Sequence, residues 1–288
     1  MPAIPDNAVS DRTEPDDPML RRGRRAMGIA RMPYQLSEER LAAMLREDVP
    51  FGDATTLGLG IGDRRGQAVF RTRTAITACC IEEAERIMLL AGCGTTRRLA
   101  ASGQQVGAGA ELLLVEGSAA ALHRGLKVAQ TLMEIASGIA TRAWRILGAA
   151  RDGRAGIQVA CTRKHLPGAK DVMLKAIMAG GCMPHRLGLS DTVLVFAQHR
   201  AFLDHTPPHL WVAQLRAAQP ERKIAVEAES VDEAMRFAAA GVDSLQLDKL
   251  APDQVATVVR AIADLLVTSA AYAAPPADVS VSVTETLN

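Results

Sequence analysis

Aromatic side chains are nearly absent, with two Trp, two Tyr and five Phe in 288 residues. A core without them has to be assembled from Ala, Leu, Val, Ile and Met, which the 48% hydrophobic content can supply. Excess charge is missing as well. Thirty-three Lys and Arg stand against 32 Asp and Glu, so no global field draws the chain to nucleic acid or to an acidic membrane, and any anion site has to be local. No apolar run nears the roughly 20 residues that a membrane span needs. The N-terminus lacks the apolar stretch of a signal peptide, and the expected setting is the cytoplasm. Cysteine is sparse and ill-spaced for cross-linking: Cys79 and Cys80 are adjacent, Cys93, Cys161 and Cys182 stand alone, and no C-x-x-C occurs. That excludes a disulfide framework and a structural zinc site, and the five thiols are expected to be reduced and mostly buried. Also missing are G-x-S-x-G, a P-loop, G-x-G-x-x-G and a His/carboxylate metal triad.

What is present begins with a polar segment. Residues 1–33 are rich in Pro, Asp and Arg, have little to bury and are expected to be disordered. The RRGRR run at 21–25 reads as part of a solvated tail, and Met27 or Met32 is an alternative start. Order is expected from SEERLAAMLRED, where Ser37 suits an N-cap and Leu41, Met44 and Leu45 share one face. GQAVFRTRTAI (66–76) reads as a strand leading into a helix near 80–91, with two further short strands from Arg97 on. Residues 119–150 carry a long helical pattern that contains Gly125 and Gly138.

Beyond it the rhythm changes. GIQVACT, TVLVFA, KIAVEAE, SLQLD and DLLVTSA are short, β-branched apolar runs with helical patterns between most of them, the mark of βα units around a parallel sheet or barrel. Sites in such barrels lie at the C-terminal strand ends. Arg163 and Lys164 follow the first run, His199 the second, Glu227 and Glu229 end the third, Asp248 the fourth and Ser269 the fifth. Their spacing predicts one converging pocket. Within it, Arg163, Lys164 and His165 in one row, with His185 and Arg186 after Gly180-Gly181, form a cationic cluster in alanine-rich surroundings. Arg presents a planar fork to carboxylate or phosphate and Lys a point charge, so the cluster is expected to hold an acidic ligand.

SGIAT (137–141), TRKHLPG (162–168), AGGCMPHRLGLSD (179–191), VEAE (226–229) and LQLDK (245–249) resemble, in order and spacing, the motifs of quinolinate phosphoribosyltransferases. The likeness spans about residues 35 to 270. VPFGDATT, LKVAQ, TRKHLPG, the PHR triplet and LVTSAAYAAPPADV are similar to the ModD branch of that family, pyrophosphorylases associated with molybdenum transport operons. The resemblance implies an α/β fold: an N-terminal open α/β sandwich (34–135), an incomplete α/β barrel (136–272) and a C-terminal tail (273–288). It also implies a homodimer with a shared site, phosphoribosyl pyrophosphate as co-substrate and Mg²⁺. On this likeness Lys164, Glu229 and Asp248 are the catalytic candidates, with Glu229 and Asp248 meeting the metal. Lys127, Arg163, His185, Arg186, His199, Glu227 and Ser269 are the substrate-binding candidates, Lys127 being contributed across the dimer.

Three departures qualify the likeness. Lys127 stands where the family has an arginine, keeping charge but losing the two-donor fork. Phe196 replaces a lysine, which favours a less acidic or larger acceptor. The family's Ser-Gly-Gly phosphate cradle has no counterpart, and the interval between Asp248 and ADLLVTSA (263–270) is short by about one βα unit.

Three readings of function remain open on the sequence. The first is phosphoribosyl transfer to a nitrogen of an acidic heterocycle. The second is a catalytically degenerate relative that binds an anion or a partner protein. The third is an aldolase with a Schiff-base lysine at Lys164 or Lys175, although Lys175, mid-helix, reads better as a solvated face. Met173, Met178 and Met183 are expected to fill the core.

Overall fold

Ser37 caps the first helix as its sequence predicts. Its side chain accepts the Arg40 N–H at 3.3 Å, starting α1 (Glu38–Asp48) and turning Leu41 and Leu45 inward. The computed structural model describes residues 34–153, 156–247 and 265–286, which belong to one compact unit, Tyr34–Asn288. The expected disorder of residues 1–33, the RRGRR run and the Asp248 site lie outside the described residues.

After α2 (Ala54–Leu59) the chain enters β1 (Arg65–Thr72), the centre of an antiparallel sheet. One side of β1 pairs with β5 (Glu111–Ser118), which in turn pairs with β3 (Thr95–Arg98). β2 (Ile76–Thr77) and β4 (Gln105–Val106) form a small ladder beside it, and α3 (Ile81–Leu90) packs its Ile81, Ala84, Ile87 and Met88 face inward. The other side of β1 is taken by β12 (Val279–Glu285), within the stretch expected as a tail, with Phe70 opposite Val281. The alternating VSVSVTE sequence suits an edge strand whose outer face stays wet.

The long helical pattern is a single helix, α4 (Ala119–Gly153), running without interruption past residue 135. SGIAT is its packing seam. Ser137 accepts the Cys79 N–H at 3.0 Å and Thr141 accepts the Thr77 N–H at 2.9 Å, tying α4 to β2. A Cβ on Gly138 would lie 2.2 Å from the Pro275 carbonyl oxygen, and one on Gly180 would lie 2.5 Å from that of Ala140. Two motifs of the family likeness therefore have plain packing reasons.

The second half holds six described parallel strands. β6 (Gln158–Cys161) lies between β7 (Met183–Pro184) and β11 (Leu265–Thr268), and α5 (Lys170–Ala179) connects β6 to β7. β8 (Val193–Val195) and β10 (Ser244–Leu247) flank β9 (Ile224–Ala228). α6 (Ala197–Arg200) and α7 (Pro208–Ala218) lead from β8 to β9, and α8 (Val231–Ala239) leads from β9 to β10. Here the scarce aromatics are used: Trp211 meets Phe237 edge-on at 6.0 Å over Ile224 and Val226. The shortened interval after β10 falls on residues 248–264, outside the described ones.

Lys175 corrects a sequence expectation. It is not on a solvated face but buried at 1% exposure, with its Nζ 2.7 Å from both Glu83 carboxylate oxygens and 3.4 Å from Glu82. Burial alone would lower its pKa, but the Glu83 charge and hydrogen bond more than offset that and leave it raised. A lysine held charged in this way is no Schiff-base amine. Met183 is also not core filler, being 45% exposed, whereas Met173 is buried. All five cysteines are free and buried, as expected.

Candidate functional site

The parallel ladders decide which sequence-distant residues meet. β6 and β7 pair Ala160 with Met183 and Cys161 with Pro184, an offset of 23 residues. The ladder continues one step as the His185 N–H donates to the Cys161 carbonyl at 2.9 Å, and on the other side the Thr162 N–H donates to the Thr268 carbonyl at 2.9 Å. Carried one residue further, the same offset sets Arg163 beside Arg186.

Both guanidiniums have a buried Nε with no hydrogen-bond partner among the described residues. Arg186 is only 6% exposed. Burial, followed by the Arg163 charge, depresses its pKa, and Asp191 offsets this in part. Burial also lowers the pKa of His185, with Arg186 adding to the effect. Two adjacent cations with unused donors are unfavourable unless an anion sits between them. Lys164 is exposed beside them, and the His165 Nδ1 and Thr162 hydroxyl are likewise buried without partners.

The acidic side is built on the other sheet. β9 and β10 pair Glu227 with Gln246, and the Gln246 amide donates to the Glu227 carboxylate at 2.9 Å. Glu229 follows at the exposed strand end, where its N–H donates to Glu233 at 3.0 Å. The Gln246 Oε1 is buried and has no partner among the described residues. So the β7–β6–β11 sheet carries the cations and the β8–β9–β10 sheet the carboxylates. Among the described residues no group of three or more His, Cys, Asp and Glu forms a metal site. Glu227, Glu229 and Gln246 are hard oxygen donors of the kind magnesium prefers.

One contact spans the two sheets. Phe196 lies between β8 and α6 as the residue that precedes the helix, and the Arg186 guanidinium carbon lies 5.7 Å from its ring centroid. His199 packs on the same ring at 4.8 Å and 32°, and its Nδ1 accepts the Phe196 N–H at 3.1 Å. Arg186 and His199 also border a cavity of about 650 Å³ along the β8 edge, closed below by Trp211 and Leu215.

The remaining predicted positions are more scattered. Ser269 precedes the 3₁₀ turn Ala270–Ala273, and its backbone carbonyl accepts the Tyr272 N–H at 3.1 Å. Lys127 is exposed on α4, at a separate cavity of about 590 Å³ between α1, α4 and α5 that none of Arg163, Lys164, His185 or Arg186 lines. Sequence reasoning missed Gln246 and Tyr272 as site candidates. The Tyr272 hydroxyl is buried with no partner among the described residues, and burial raises its pKa. Both carried a signal: Gln246 is the polar residue inside an apolar strand, and Tyr272 is one of two tyrosines, placed just past a strand end.

Residues 53–137 match the family model for the N-terminal domain of quinolinate phosphoribosyl transferase, and residues 139–280 match that for its C-terminal domain. The chain is 46% identical to the "Putative pyrophosphorylase ModD" of Rhodobacter capsulatus, over 78% of this chain and 87% of that one. It is 34% identical to the protein of the same name in Escherichia coli O6:H1, over 86% and 97%. NadC from Streptococcus pyogenes superposes with a TM-score of 0.78 at 24% identity, covering 88% of this chain and 99% of that one, a likeness of fold.

Proposed function

Because the chain belongs to the quinolinate phosphoribosyltransferase family, we propose that it transfers phosphoribosyl from phosphoribosyl pyrophosphate to a ring nitrogen of an acidic heterocycle. The observation that carries this reading is the Arg163–Arg186 pair, two cations with unused buried donors at the mouth of a parallel sheet. An acceptor carboxylate between them would satisfy both forks and orient the ring nitrogen. Lys164, exposed beside the pair, is the charge that would meet departing pyrophosphate. Glu227 and Glu229 would hold the ribose hydroxyls, and Glu229 with Asp248 the magnesium that accompanies the diphosphate, supplying charge neutralisation. His185, His199 and Ser269 would complete the substrate contacts. Lys127, away from the cationic pair, would serve the site of a second copy in a homodimer. A role alongside molybdenum transport rests on the motif resemblance to the ModD branch alone.

Calorimetric titration of the full chain with phosphoribosyl pyrophosphate, with and without Mg²⁺, tests the proposal. Magnesium-dependent binding in the micromolar range, on the order of 8 kcal/mol, is expected. No binding by a folded protein would sink it.

A second reading, a degenerate relative that binds an anion or a partner, is favoured by one observation. Residues 248–264 contain no glycine, and a backbone phosphate cradle needs glycine for close approach. Release of pyrophosphate with any heterocyclic acid would dispose of it.

A further inference from the structure

We propose that Phe196, lying against the Arg186 guanidinium with His199 packed on the same ring, determines acceptor specificity and restricts the pocket to aromatic acids bearing one carboxylate. The proposal rests on the acceptor-binding reading of this site.

Phe196 is held firmly for a residue at a strand end. It follows the β8 strand in extended conformation (φ −101°, ψ 175°), and its N–H is tied to the Nδ1 of His199, whose ring then sits 4.8 Å from its own. The Phe196 ring lies 5.7 Å from the Arg186 guanidinium carbon. A ring face attracts a cation through its quadrupole without neutralising it. It therefore helps to keep Arg186 in place while leaving the Arg186 Nε free to donate, and Asp191, the acidic group acting on Arg186, offsets its charge surroundings only in part.

The number of cations sets the number of anions. Arg163 and Arg186 stand side by side and can share one carboxylate through their forks. His185, pushed towards its neutral form by burial and by Arg186, adds no further charge. Lys164 is exposed and belongs to the diphosphate in the reading above. On the β8 side the Arg186 neighbour is the Phe196 ring, which suits the face or edge of an aromatic acceptor. A second carboxylate placed there would lose water and gain no partner, which is costly in a half-buried site.

The test is calorimetry on the full chain with pyridine-3-carboxylate and pyridine-2,3-dicarboxylate as probes, in wild type, Phe196→Leu and Phe196→Lys. The expected wild type binds the mono-acid at least tenfold more tightly than the diacid. Phe196→Lys should reverse that order. Phe196→Leu, which removes the ring without adding charge, should weaken the mono-acid and leave the order unchanged. A wild type that binds the diacid equally or more tightly overturns the proposal, whether or not Phe196→Lys folds. So does an unchanged ratio in a folded Phe196→Lys. If neither acid binds a protein that does bind phosphoribosyl pyrophosphate, the specificity proposal falls and phosphoribosyl transfer stands. If phosphoribosyl pyrophosphate fails to bind while the two acids differ as expected, the reverse holds.

Discussion

Arg163 and Arg186 are separated by the same 23 residues that pair Ala160 with Met183 across the β6–β7 ladder, and each keeps a buried Nε without a partner among the described residues. This pairing is unfavourable in the free protein, where Asp191 offsets the burial and repulsion felt by Arg186 only in part. It becomes favourable once an anion arrives.

Arg186→Met should therefore separate stability from binding. Removing one of two adjacent cations relieves repulsion and desolvation, so the ligand-free variant is expected to unfold at the same temperature as wild type or a higher one. Pyridine-3-carboxylate should stabilise the wild type, by about 2.7 kcal/mol at a hundredfold excess over its dissociation constant, and should not stabilise the variant. Equal shifts in thermal scans of both proteins would place the anion elsewhere.

His185 predicts a pH dependence. Its folded pKa lies below the ordinary 6.5 because of burial and Arg186. As pH falls through 6.5 the unfolded chain takes up this proton first, so stability declines and then levels off below the folded value. His185→Gln should flatten that part of the profile in urea titrations run from pH 7.5 to 5. An unchanged slope would show that other groups set it.

The buried Lys175–Glu83 pair gives a third expectation. Lys175→Met strands the Glu83 carboxylate at 2% exposure and should cost about 3–5 kcal/mol. The double variant Lys175→Met/Glu83→Leu should cost much less, because no unpaired charge is left behind. Urea midpoints of the three proteins check this, and a double variant as unstable as the single one would contradict it.

Two glycines of α4 should respond oppositely to alanine. At Gly138 the new Cβ meets the Pro275 carbonyl oxygen at 2.2 Å and the Ala277 nitrogen at 3.1 Å, where the chain leads into β12, so Gly138→Ala is expected to cost about 1–3 kcal/mol or more. At Gly148 nothing lies within 4 Å, and Gly148→Ala should stabilise by about 0.5–1 kcal/mol through helix propensity. Chemical denaturation of both variants reads the difference.

Much of this molecule is written locally. The Ser37 cap, the 35-residue α4 and the apolar runs that became β6, β8, β9, β10 and β11 all follow from periodicity and cap chemistry over a few residues. So does the placement of Arg163, His199 and Glu227 near strand ends. Two of the strands that sequence reading passed over fail for opposite reasons. β7 is two residues long, too short to show a period. β12 alternates clearly but its exposed serines and threonine look like a tail until β1 pairs with it.

Local sequence thus sets which residues form elements and which charged groups stand at their ends. Tertiary structure decided the partners. The 23-residue offset joins Arg163 to Arg186, the β9–β10 register joins Glu227 to Gln246, and the approach of α5 to α3 turns Lys175 from a surface candidate into a buried ion pair. Helix and strand periods come from interactions within a few residues of backbone, so they are legible in one dimension. Register, burial and the absence of a counter-ion depend on which surfaces meet, and that is settled only when the whole core packs.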